Sequence, residues 1–310
     1  MKNKFIIAAV ETVVFHLLCL YLGYKLFLDP GEARTFFDES RIWIFAIVYG
    51  AGTMLLGLHI YVNMVKPIIK AQSELEKAAE ESKKAESIRK EFVANVSHEL
   101  KTPLTSISGF IETLQQGAAE DPEIRTRFID IIAIETSRLK RLIQDLLVLS
   151  DIENRKESAD VRAFDIKEAI VKTVQTLEPI AASKDVKLLT DLETQATIFG
   201  SPDRFRQMMV NLIENAVKYS DTGGSVWIRT KKEGNRIQVS VRDEGIGIAE
   251  EHLDRLFERF YRVDKSRAAK AGGTGLGLSI VKHIAALFNA ELKVESKVGE
   301  GTIFYVTFER

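Results

Sequence analysis

The sequence predicts three fold units in order: a membrane α-helical hairpin, a dimeric helical hairpin that forms a four-helix bundle, and an α/β sandwich. Three observations predict them: two long apolar runs near the N-terminus, two amphipathic helices in the middle, and alternating helix and strand signals towards the C-terminus. Among the 310 residues, 43 basic and 44 acidic side chains nearly cancel. The composition therefore predicts no nucleic-acid partner.

The two apolar runs, Phe5–Leu28 and Ile42–Val65, are each long enough to cross a hydrocarbon core of ~30 Å. The alternative for the first run is a signal peptide, but its apolar core is too long and no small-residue cleavage site precedes Asp29. We therefore predict two transmembrane helices in residues 1–66, joined by a short extracytoplasmic loop. Lysines outside the two runs predict that both termini lie in the cytoplasm: Lys2, Lys4, Lys66 and Lys70.

Two ionisable side chains, Glu11 and His59, lie inside these runs at similar depth from the cytoplasmic ends. Burying either group alone in hydrocarbon is costly, which predicts that the two form an intramembrane pair. The alternative is that each side chain reaches headgroups or water by itself. Our hypothesis is that the pair sets the resting geometry of the two helices.

The connection that follows, residues 67–91, is charged, nearly free of glycine and rich in Ala, Glu, Lys and Ser. Small and apolar residues recur there with a loose three-four spacing. This spacing predicts a helical linker with marginal coiled-coil character. The alternative is a solvated helix that has no role in switching.

The next stretch, FVANVSHELKTPL at Phe92–Leu104, predicts a helix with one apolar side. His98 lies almost opposite that side, and Thr102 is its neighbour one helical turn further on. Pro103 lacks a backbone donor and is expected to bend the helix just beyond the histidine. Taken alone, a histidine followed by Glu99 is most often a solvated surface pair.

A second amphipathic helix begins near Pro122. Asp121 is predicted to cap it, proline suits the first helical position, and Glu123 suits the first turn. Apolar residues then recur at helical spacing as far as Leu149. Because two such helices cannot enclose a core, we predict that two chains join their hairpins in a four-helix bundle. Residues 92–155 are thus the predicted dimerisation domain of a homodimer.

The remaining residues, 163–310, alternate helix and strand signals and predict helices on one face of a mixed sheet. Two hairpins are expected around the Gly-Asn and Gly-Glu-Gly turns. The predicted elements are a strand at Lys187–Asp191, a helix at Asp203–Tyr219, and strands at Val226–Lys231, Arg236–Arg242, Glu291–Ser296 and Thr302–Phe308.

Two polar motifs lie in this domain. NLIENAVKYS places Asn211 and Asn215 one turn apart on one helix face, where carboxamide oxygens suit Mg²⁺. DEGIG follows a strand whose apolar residues alternate, so Asp243 is expected at the end of that strand. Gly245 and Gly247 beside it would let the backbone approach a ligand closely.

The third motif, GGTGLGLS, opens a predicted helix that runs to Phe288. Free N–H groups at a helix start and the positive end of the helix dipole favour phosphate. The motif is not a Rossmann fingerprint, since Leu278 replaces its last glycine and no strand precedes it. The candidate phosphate-binding residues are Gly273, Thr274, Gly275, Leu276 and Gly277.

In this order, and behind FVANVSHELKTPL, the three motifs resemble those of the bacterial two-component sensor histidine kinases over Phe92–Arg310. The GFIETL run at Gly109–Leu114 resembles the phosphate-regulon sensor subgroup. The resemblance implies an ATP site of the Bergerat (GHKL) type in the α/β domain. It also implies a multi-pass protein of the bacterial inner membrane.

By this resemblance His98 is the phosphoacceptor, Glu99 accepts its proton, and Thr102 orients water for a phosphatase reaction. Asp243 matches the aspartate that reads the adenine amino group, and Asn215 matches a Mg²⁺ ligand. Further positions match nucleotide-contacting residues of the family: Asn211, Lys218, Tyr219 and, from the FERFYR box, Arg262. Val263–Gly273 would be the mobile lid.

The implied activity is autophosphorylation from ATP with Mg²⁺, then transfer of the phosphoryl group to an aspartate of a response regulator. One alternative is an ATPase of the same nucleotide fold, as in gyrase or MutL-type proteins, but those lack the His98 box and the apolar hairpin. A second is a membrane receptor whose nucleotide domain is a scaffold or serves only a phosphatase. Intact Glu99, Asn215 and Asp243 argue against the second alternative.

Overall fold

The computed structural model describes residues 2–27, 39–153, 160–192, 197–263 and 273–309. They form two compact units, Met1–Lys90 and Glu91–Arg310. The N-terminal helices are α1 (Lys2–Phe27), α2 (Glu39–Ile60), a π-helical turn (Tyr61–Val65) and α3 (Lys66–Gln115). Both apolar runs are therefore helical, and most of the loop predicted between them lies outside the described residues.

In the first unit the apolar side chains of α1 and α2 are largely exposed, as in Leu17, Leu20 and Met54. One helical stretch of the described chain, Ala46–Gln115, contains a segment long and apolar enough to cross a membrane, with mean hydropathy 1.3. The apolar stretch Ile7–Gly23 of α1 is shorter. Exposed apolar surface of this kind suits contact with lipid or with other helices.

Glu11 and His59 lie together in this unit, with 3.5 Å between Glu11 Oε2 and His59 Nε2. The two side chains therefore lie within pairing distance, as the first of the two alternatives expects, and an intramembrane position of this pair stays a prediction. Asn63, in the π-helical turn, donates to the His59 carbonyl at 3.0 Å and lies 3.3 Å from Nδ1 of the same ring. The histidine thus contacts an amide on one ring nitrogen and a carboxylate on the other.

The second unit begins with a helical hairpin made by the C-terminal part of α3 and by α4 (Pro122–Glu153). A 3₁₀ turn at Ala118–Glu120 lies between them. The predicted cap is confirmed, because Asp121 Oδ1 accepts from the N–H groups of Glu123 at 2.9 Å and Ile124 at 3.2 Å. Pro103 is buried, and α3 remains a single helix through it.

The described part of the α/β domain contains the elements β1 (Arg162–Asp165), α5 (Ile166–Ser183), β2 (Lys187–Leu192), β3 (Thr197–Gly200), α6 (Pro202–Tyr219), β4 (Ser225–Glu233), β5 (Arg236–Asp243), α7 (Glu250–Leu253), α8 (Gly277–Leu287), β6 (Glu291–Lys297) and β7 (Gly301–Glu309). A five-stranded sheet has the order β2-β4-β5-β7-β6, in which β2 and β4 are parallel and the other neighbours antiparallel. Both predicted hairpins, β4–β5 and β6–β7, are confirmed.

The small antiparallel sheet of β1 and β3 was not predicted from the sequence. Each strand has four residues, too few for a clear alternation. Helix α8 ends at Leu287, one residue before the predicted end.

The core of the domain lies between the sheet and helices α5, α6 and α8. Helix α6 begins where Ser201 caps it and Pro202 supplies a first-turn proline. Its buried face packs along α8, with Phe205, Met208 and Leu212 fully buried, and Asn211 lies beside Gly277 at the start of α8. This packing fixes the start of α8 and the end of β5 relative to α6.

Candidate active site

The His98 box lies on the exposed side of α3. His98 and Thr102 are exposed, and Thr102 donates its hydroxyl hydrogen to the His98 carbonyl at 3.1 Å. Phe92 and Leu100 are partly buried against the core cluster of the second unit. The helix therefore turns one side towards protein and offers the imidazole to solvent, as the sequence predicts.

Glu99 links the helical hairpin to the α/β domain. Its Oε2 atom accepts from Arg138 of α4 at 3.0 Å and from Arg262 at 3.0 Å. The two guanidinium side chains are only 11% and 9% exposed, so the Glu99 carboxylate compensates two buried charges, and Arg138 also lies 3.8 Å from Glu135. The Arg262 Nε atom is buried, and no described residue forms a hydrogen bond with it.

Four further contacts join the same two parts of the chain. The rings of Phe92 and Phe260 lie 5.9 Å apart, and the Arg259 guanidinium lies 5.0 Å from the Phe92 ring centre. Arg259 also pairs with Glu153 at the end of α4. Thr274 of the glycine-rich segment donates to Asp145 Oδ2 at 2.7 Å.

Asn211 and Asn215 are half-buried on α6. The Asn211 Nδ2 atom is buried and has no hydrogen-bond partner among the described residues, which is costly unless a ligand group accepts from it. Its Oδ1 atom lies 3.7 Å from the position that a Cβ on Gly277 would take. The asparagine helix and the start of α8 therefore face the same space.

Lys218 and Tyr219 end the same helix and are half-buried. Burial, helped by the positive charges of Arg262, Arg141, Lys184 and Arg138, lowers the pKa of Lys218 to about 8. Burial also raises the pKa of Tyr219. The positive charges of this cluster repel one another, so a strongly anionic ligand would be favoured beside them.

Asp243 emerges at the end of β5, as predicted, and its side chain is buried. Its Oδ1 atom accepts from the N–H of Gly245 at 2.9 Å. Burial raises the pKa of Asp243 to about 6, against the opposing effect of hydrogen bonds from the N–H groups of Gly245 and Thr302. The carboxylate can still accept a hydrogen bond from a ligand at neutral pH.

The glycines that follow Asp243 are required by protein backbone rather than by a ligand. A Cβ on Gly245 would overlap the Tyr219 carbonyl, and one on Gly247 would overlap the Lys297 carbonyl. Gly247 also has φ of +66°, which favours glycine. The close backbone approach expected from the sequence exists, but within the described residues its partner is the protein itself.

The glycine-rich segment packs against the FERFYR box. The Phe260 N–H donates to the Gly275 carbonyl at 2.9 Å, and a Cβ on Gly275 would lie 2.9 Å from Phe260 Cα. Gly273 and Gly277 flank this contact, and α8 begins at Gly277, where no side chain of the described residues caps the helix at the buried Leu276. The first N–H groups of α8 are therefore available to an anion. Residues 264–272, most of the predicted lid, lie outside the described residues.

The residues present fit a nucleoside triphosphate. Four features suit an anionic ligand: the unpaired polar atoms of Asn211 and Arg262 among the described residues, the N–H groups at the start of α8, and the half-buried Lys218. The Asp243 carboxylate can accept a hydrogen bond from the same ligand. Asn215 would hold Mg²⁺ together with phosphate oxygens, since Mg²⁺ is seldom caged by protein alone. Among the described residues, no group of three or more His, Cys, Asp or Glu side chains could hold a metal.

Arg138, Arg141 and Asp145 on α4 were missed by reasoning from the sequence. In the sequence they lie on the polar side of an amphipathic helix, which usually faces solvent. They become notable only because the α/β domain packs beside them: Asp145 contacts Thr274, and burial raises the pKa of its carboxyl group. No local motif predicts such a contact.

The α/β domain and the helical hairpin match two different family models. Residues 200–310 match the model of histidine kinase-, DNA gyrase B- and HSP90-like ATPases. That match alone would admit a gyrase-type ATPase. Residues 88–155 match the His Kinase A (phospho-acceptor) domain, which contains His98. The chain belongs to the bacterial two-component sensor histidine kinases.

Curated relatives of this sensor kinase include WalK proteins of staphylococci. The sensor protein kinase WalK of Staphylococcus epidermidis is 41% identical over 231 residues, and one from Staphylococcus aureus is 40% identical over 231 residues. The match covers 73% of this chain in both cases, but 37% and 55% of the relatives. The chain therefore spans between about a third and just over half of the relatives' length. Membership of the phosphate-regulon sensor subgroup stays a prediction.

Two solved structures resemble the kinase. The Acinetobacter baumannii histidine kinase AdeS has a TM-score of 0.55 at 26% identity, covering 68% of this chain and 97% of that one. Histidine kinase ThkA, solved in complex with the response regulator protein TrrA, has a TM-score of 0.60 at 25% identity, covering 76% of this chain and 66% of that one. Both support the fold of the helical hairpin with its α/β domain.

Proposed function

We propose that the protein is a membrane-bound sensor histidine kinase that transfers the γ-phosphoryl group of ATP to His98 and then to an aspartate of a response regulator. The observation that carries the proposal is the pairing of Glu99, next to His98, with Arg262 of the nucleotide domain at 3.0 Å. This contact brings the acceptor helix and the phosphate-binding side of the α/β domain together within one unit.

In this proposal Asp243 accepts a hydrogen bond from the adenine amino group. The orphaned Nδ2 of Asn211, the ammonium of Lys218 and the guanidinium of Arg262 lie towards the phosphates, with the first N–H groups of α8. Phosphoryl transfer depends on positioning and charge neutralisation more than on covalent help from the protein. The cationic cluster supplies both.

His98 supplies the nucleophile. A ring nitrogen of the neutral imidazole attacks the γ-phosphorus, the bond to the bridging oxygen breaks, and ADP departs with that electron pair. Glu99 accepts the proton that the other ring nitrogen loses, and general bases of this kind typically contribute ~10²–10⁴-fold. Arg138 and Arg262 hold the Glu99 carboxylate in place through its Oε2 atom.

Magnesium is part of the proposal, with Asn215 as its protein ligand. When bound, it would neutralise negative charge on the phosphates. Thr102, exposed beside His98, would orient water for hydrolysis of the phosphorylated regulator. The oxygen of its hydroxyl group keeps lone pairs for this role, because in the described conformation the hydroxyl only donates.

The proposed partners are a second copy of the chain and a cognate response regulator. Exposed apolar residues on the helical hairpin, such as Leu104, Ile134 and Leu147, support a homodimer, since a solvated hairpin would leave them in water. The phospho-acceptor family match and the ThkA–TrrA complex support a response regulator partner.

For the N-terminal region we propose a pair of transmembrane helices, α1 and α2, with both termini in the cytoplasm of the bacterial cell. The apolar segment within Ala46–Gln115 and the exposed apolar side chains of α1 support this proposal. A nucleotide-binding scaffold or phosphatase-only receptor is the alternative, and retention of Asn215, Asp243 and Glu99 favours the kinase.

The test uses the full chain in detergent with γ-labelled ATP and Mg²⁺. We expect label on the parent protein that survives base but not acid, as phosphohistidine does. His98→Gln should abolish the label while nucleotide binding persists, because it removes the acceptor and leaves the α/β domain intact. Asn215→Ala should abolish the label as well. Nucleotide binding by the parent without label would contradict the kinase and favour the scaffold.

A further inference from the structure

The turn between α5 and β2 directs Lys184 towards the end of the asparagine helix α6. Lys184 is the C-terminal cap residue of α5, and its N–H bonds back to Ala181 and Ala182. Asp185 follows with φ of +55°, and the N–H of Val186 returns to the Ala181 carbonyl at 2.9 Å. This tight closure fixes the direction in which the lysine side chain leaves the turn.

The ammonium group of Lys184 binds the last carbonyls of α6. It donates to the carbonyl of Val217 at 3.0 Å, to that of Lys218, and to that of Ser220 at 3.4 Å. An ammonium has three donors, and these three acceptors occupy them. Carbonyls at a helix end lack helical partners and form the negative end of the helix dipole, so a cation is favoured there.

The carbonyl of Tyr219, between these acceptors, instead faces the turn that follows Asp243. It accepts from the N–H of Ile246 at 3.4 Å, and Gly245 packs so closely against it that a Cβ would overlap it. Asp243 is held by the N–H of the same Gly245 at 2.9 Å. Lys184 therefore fixes the backbone on both sides of the carbonyl against which the Asp243 turn packs.

We propose that Lys184 is a positioning residue of the nucleotide site, which holds the end of α6 so that Lys218, Tyr219 and the Asp243 turn keep their binding geometry. The inference rests on the proposed function for the identity of the ligand, ATP. The ammonium donates to three backbone carbonyls, so it acts on the nucleotide by holding the backbone of α6, and its positive charge adds to the cluster around Lys218. It is the donor charge, rather than the apolar stem, that performs this role.

The test compares Lys184→Met and Lys184→Arg in the full chain in detergent. Methionine keeps the unbranched stem without the donors, whereas arginine keeps a cation with donors. Lys172→Met is the matched control, since Lys172 is an exposed lysine of α5 paired with Glu168. The readouts are the Kd of a non-hydrolysable ATP analogue with Mg²⁺, the melting temperature without nucleotide, and the phosphorylation rate against ATP concentration.

We expect Lys184→Met to raise the Kd and the KM for ATP about tenfold, as loss of a supporting contact typically does. The rate at saturating ATP should stay within about twofold of the parent, because the acceptor helix is untouched. Lys184→Arg should restore the Kd to within about threefold of the parent value, and Lys172→Met should not change it.

An unchanged Kd in Lys184→Met overturns the proposal, as does a lowered saturating rate with an unchanged KM. If the methionine variant does not fold, Lys184→Gln replaces it; a parent-like Kd in that variant also overturns the proposal. A parent that binds the analogue but acquires no label refutes the kinase reaction and leaves the inference standing. A parent that binds no nucleotide refutes both.

Discussion

At the scale of single residues, Asp243 shows how burial and function conflict. The residue is 4% exposed, and burial raises the pKa of its carboxyl group to about 6 because it disfavours the charged form. The ionised form is nevertheless the better acceptor for an amino group. The site thus keeps a carboxylate whose ionisation destabilises the folded chain, as is common for residues that bind ligands.

Asp243→Asn should therefore stabilise the nucleotide-free protein at pH 7.5 and abolish ATP binding. An acid whose pKa is raised by folding, here from 3.8 to about 6, lowers the free energy of unfolding as the pH rises through that window. The asparagine variant cannot ionise and avoids this loss. The variant should melt at a higher temperature than the parent. This difference should be largest above pH 6 and should decrease towards pH 4.

The control for this prediction is Asp191→Asn, which changes an exposed carboxylate of β2 that lies 3.7 Å from Arg229. Its melting-temperature difference from the parent should vary little between pH 4 and pH 7.5. A pH-independent difference for Asp243→Asn would show that the carboxyl group of Asp243 does not titrate in this window.

At the scale of elements, the turns around the five-stranded sheet determine the shape of the site. Gly234, in the β4–β5 turn, and Gly247, after β5, both have positive φ, +60° and +66°. They differ in surroundings, because a Cβ on Gly234 meets open space and one on Gly247 overlaps the Lys297 carbonyl. One turn only reverses the chain, whereas the other packs the Asp243 loop onto the end of β6.

Alanine at these two glycines should separate backbone strain from packing. Gly234→Ala should lower the free energy of unfolding by about 1–2 kcal/mol, the usual cost of a left-handed conformation. Gly247→Ala should lower it by about 1–3 kcal/mol more, because the loop must also move away from Lys297. Urea denaturation measures both, and Kd for ATP should rise in Gly247→Ala alone. Equal losses in the two variants would contradict the packing argument.

At the scale of the whole molecule, the described fold joins chemistry from distant parts of the sequence. Arg262 reaches Glu99, Arg259 reaches Glu153, and Thr274 reaches Asp145. In each case a side chain of the α/β domain meets a carboxylate of the helical hairpin. The residues that we propose to face phosphate thus lie against the hairpin that carries His98, as the proposed reaction between the two parts requires.

The Glu11–His59 pair permits a test of whether the N-terminal helices influence the kinase. If the pair sets the resting geometry, Glu11→Gln and His59→Gln should change the phosphorylation rate of the full chain in vesicles by coupled amounts. Once one partner is lost, removing the other should add little, which predicts a coupling of at least about 0.5 kcal/mol in the double-mutant cycle.

The control cycle pairs Glu11→Gln with His16→Gln. The ring of His16 contacts the Thr12 carbonyl of its own helix at 2.8 Å, so its substitution should combine additively with that of Glu11. Additive changes in the Glu11–His59 cycle would refute the hypothesis that this pair controls the helices.

The sequence by itself determined the elements and the motifs. Periodicity defined the helices of the hairpin, capping chemistry placed the start of α4, and alternation with turn residues gave the two β-hairpins around Gly234 and Gly299. These properties depend on neighbours within a few residues, so a linear pattern carries them. The His98 box and the three motifs of the α/β domain could be recognised in the sequence for the same reason.

Only the tertiary structure decided which side chains meet. Lys184 with the end of α6, Asp145 with Thr274, and Arg138 with Glu99 each join residues that no short pattern connects. The small β1–β3 sheet was missed because its strands are too short to show a period. Contacts of this kind follow from the packing of whole elements around a shared core, which depends on the sum of many burials rather than on any local signal.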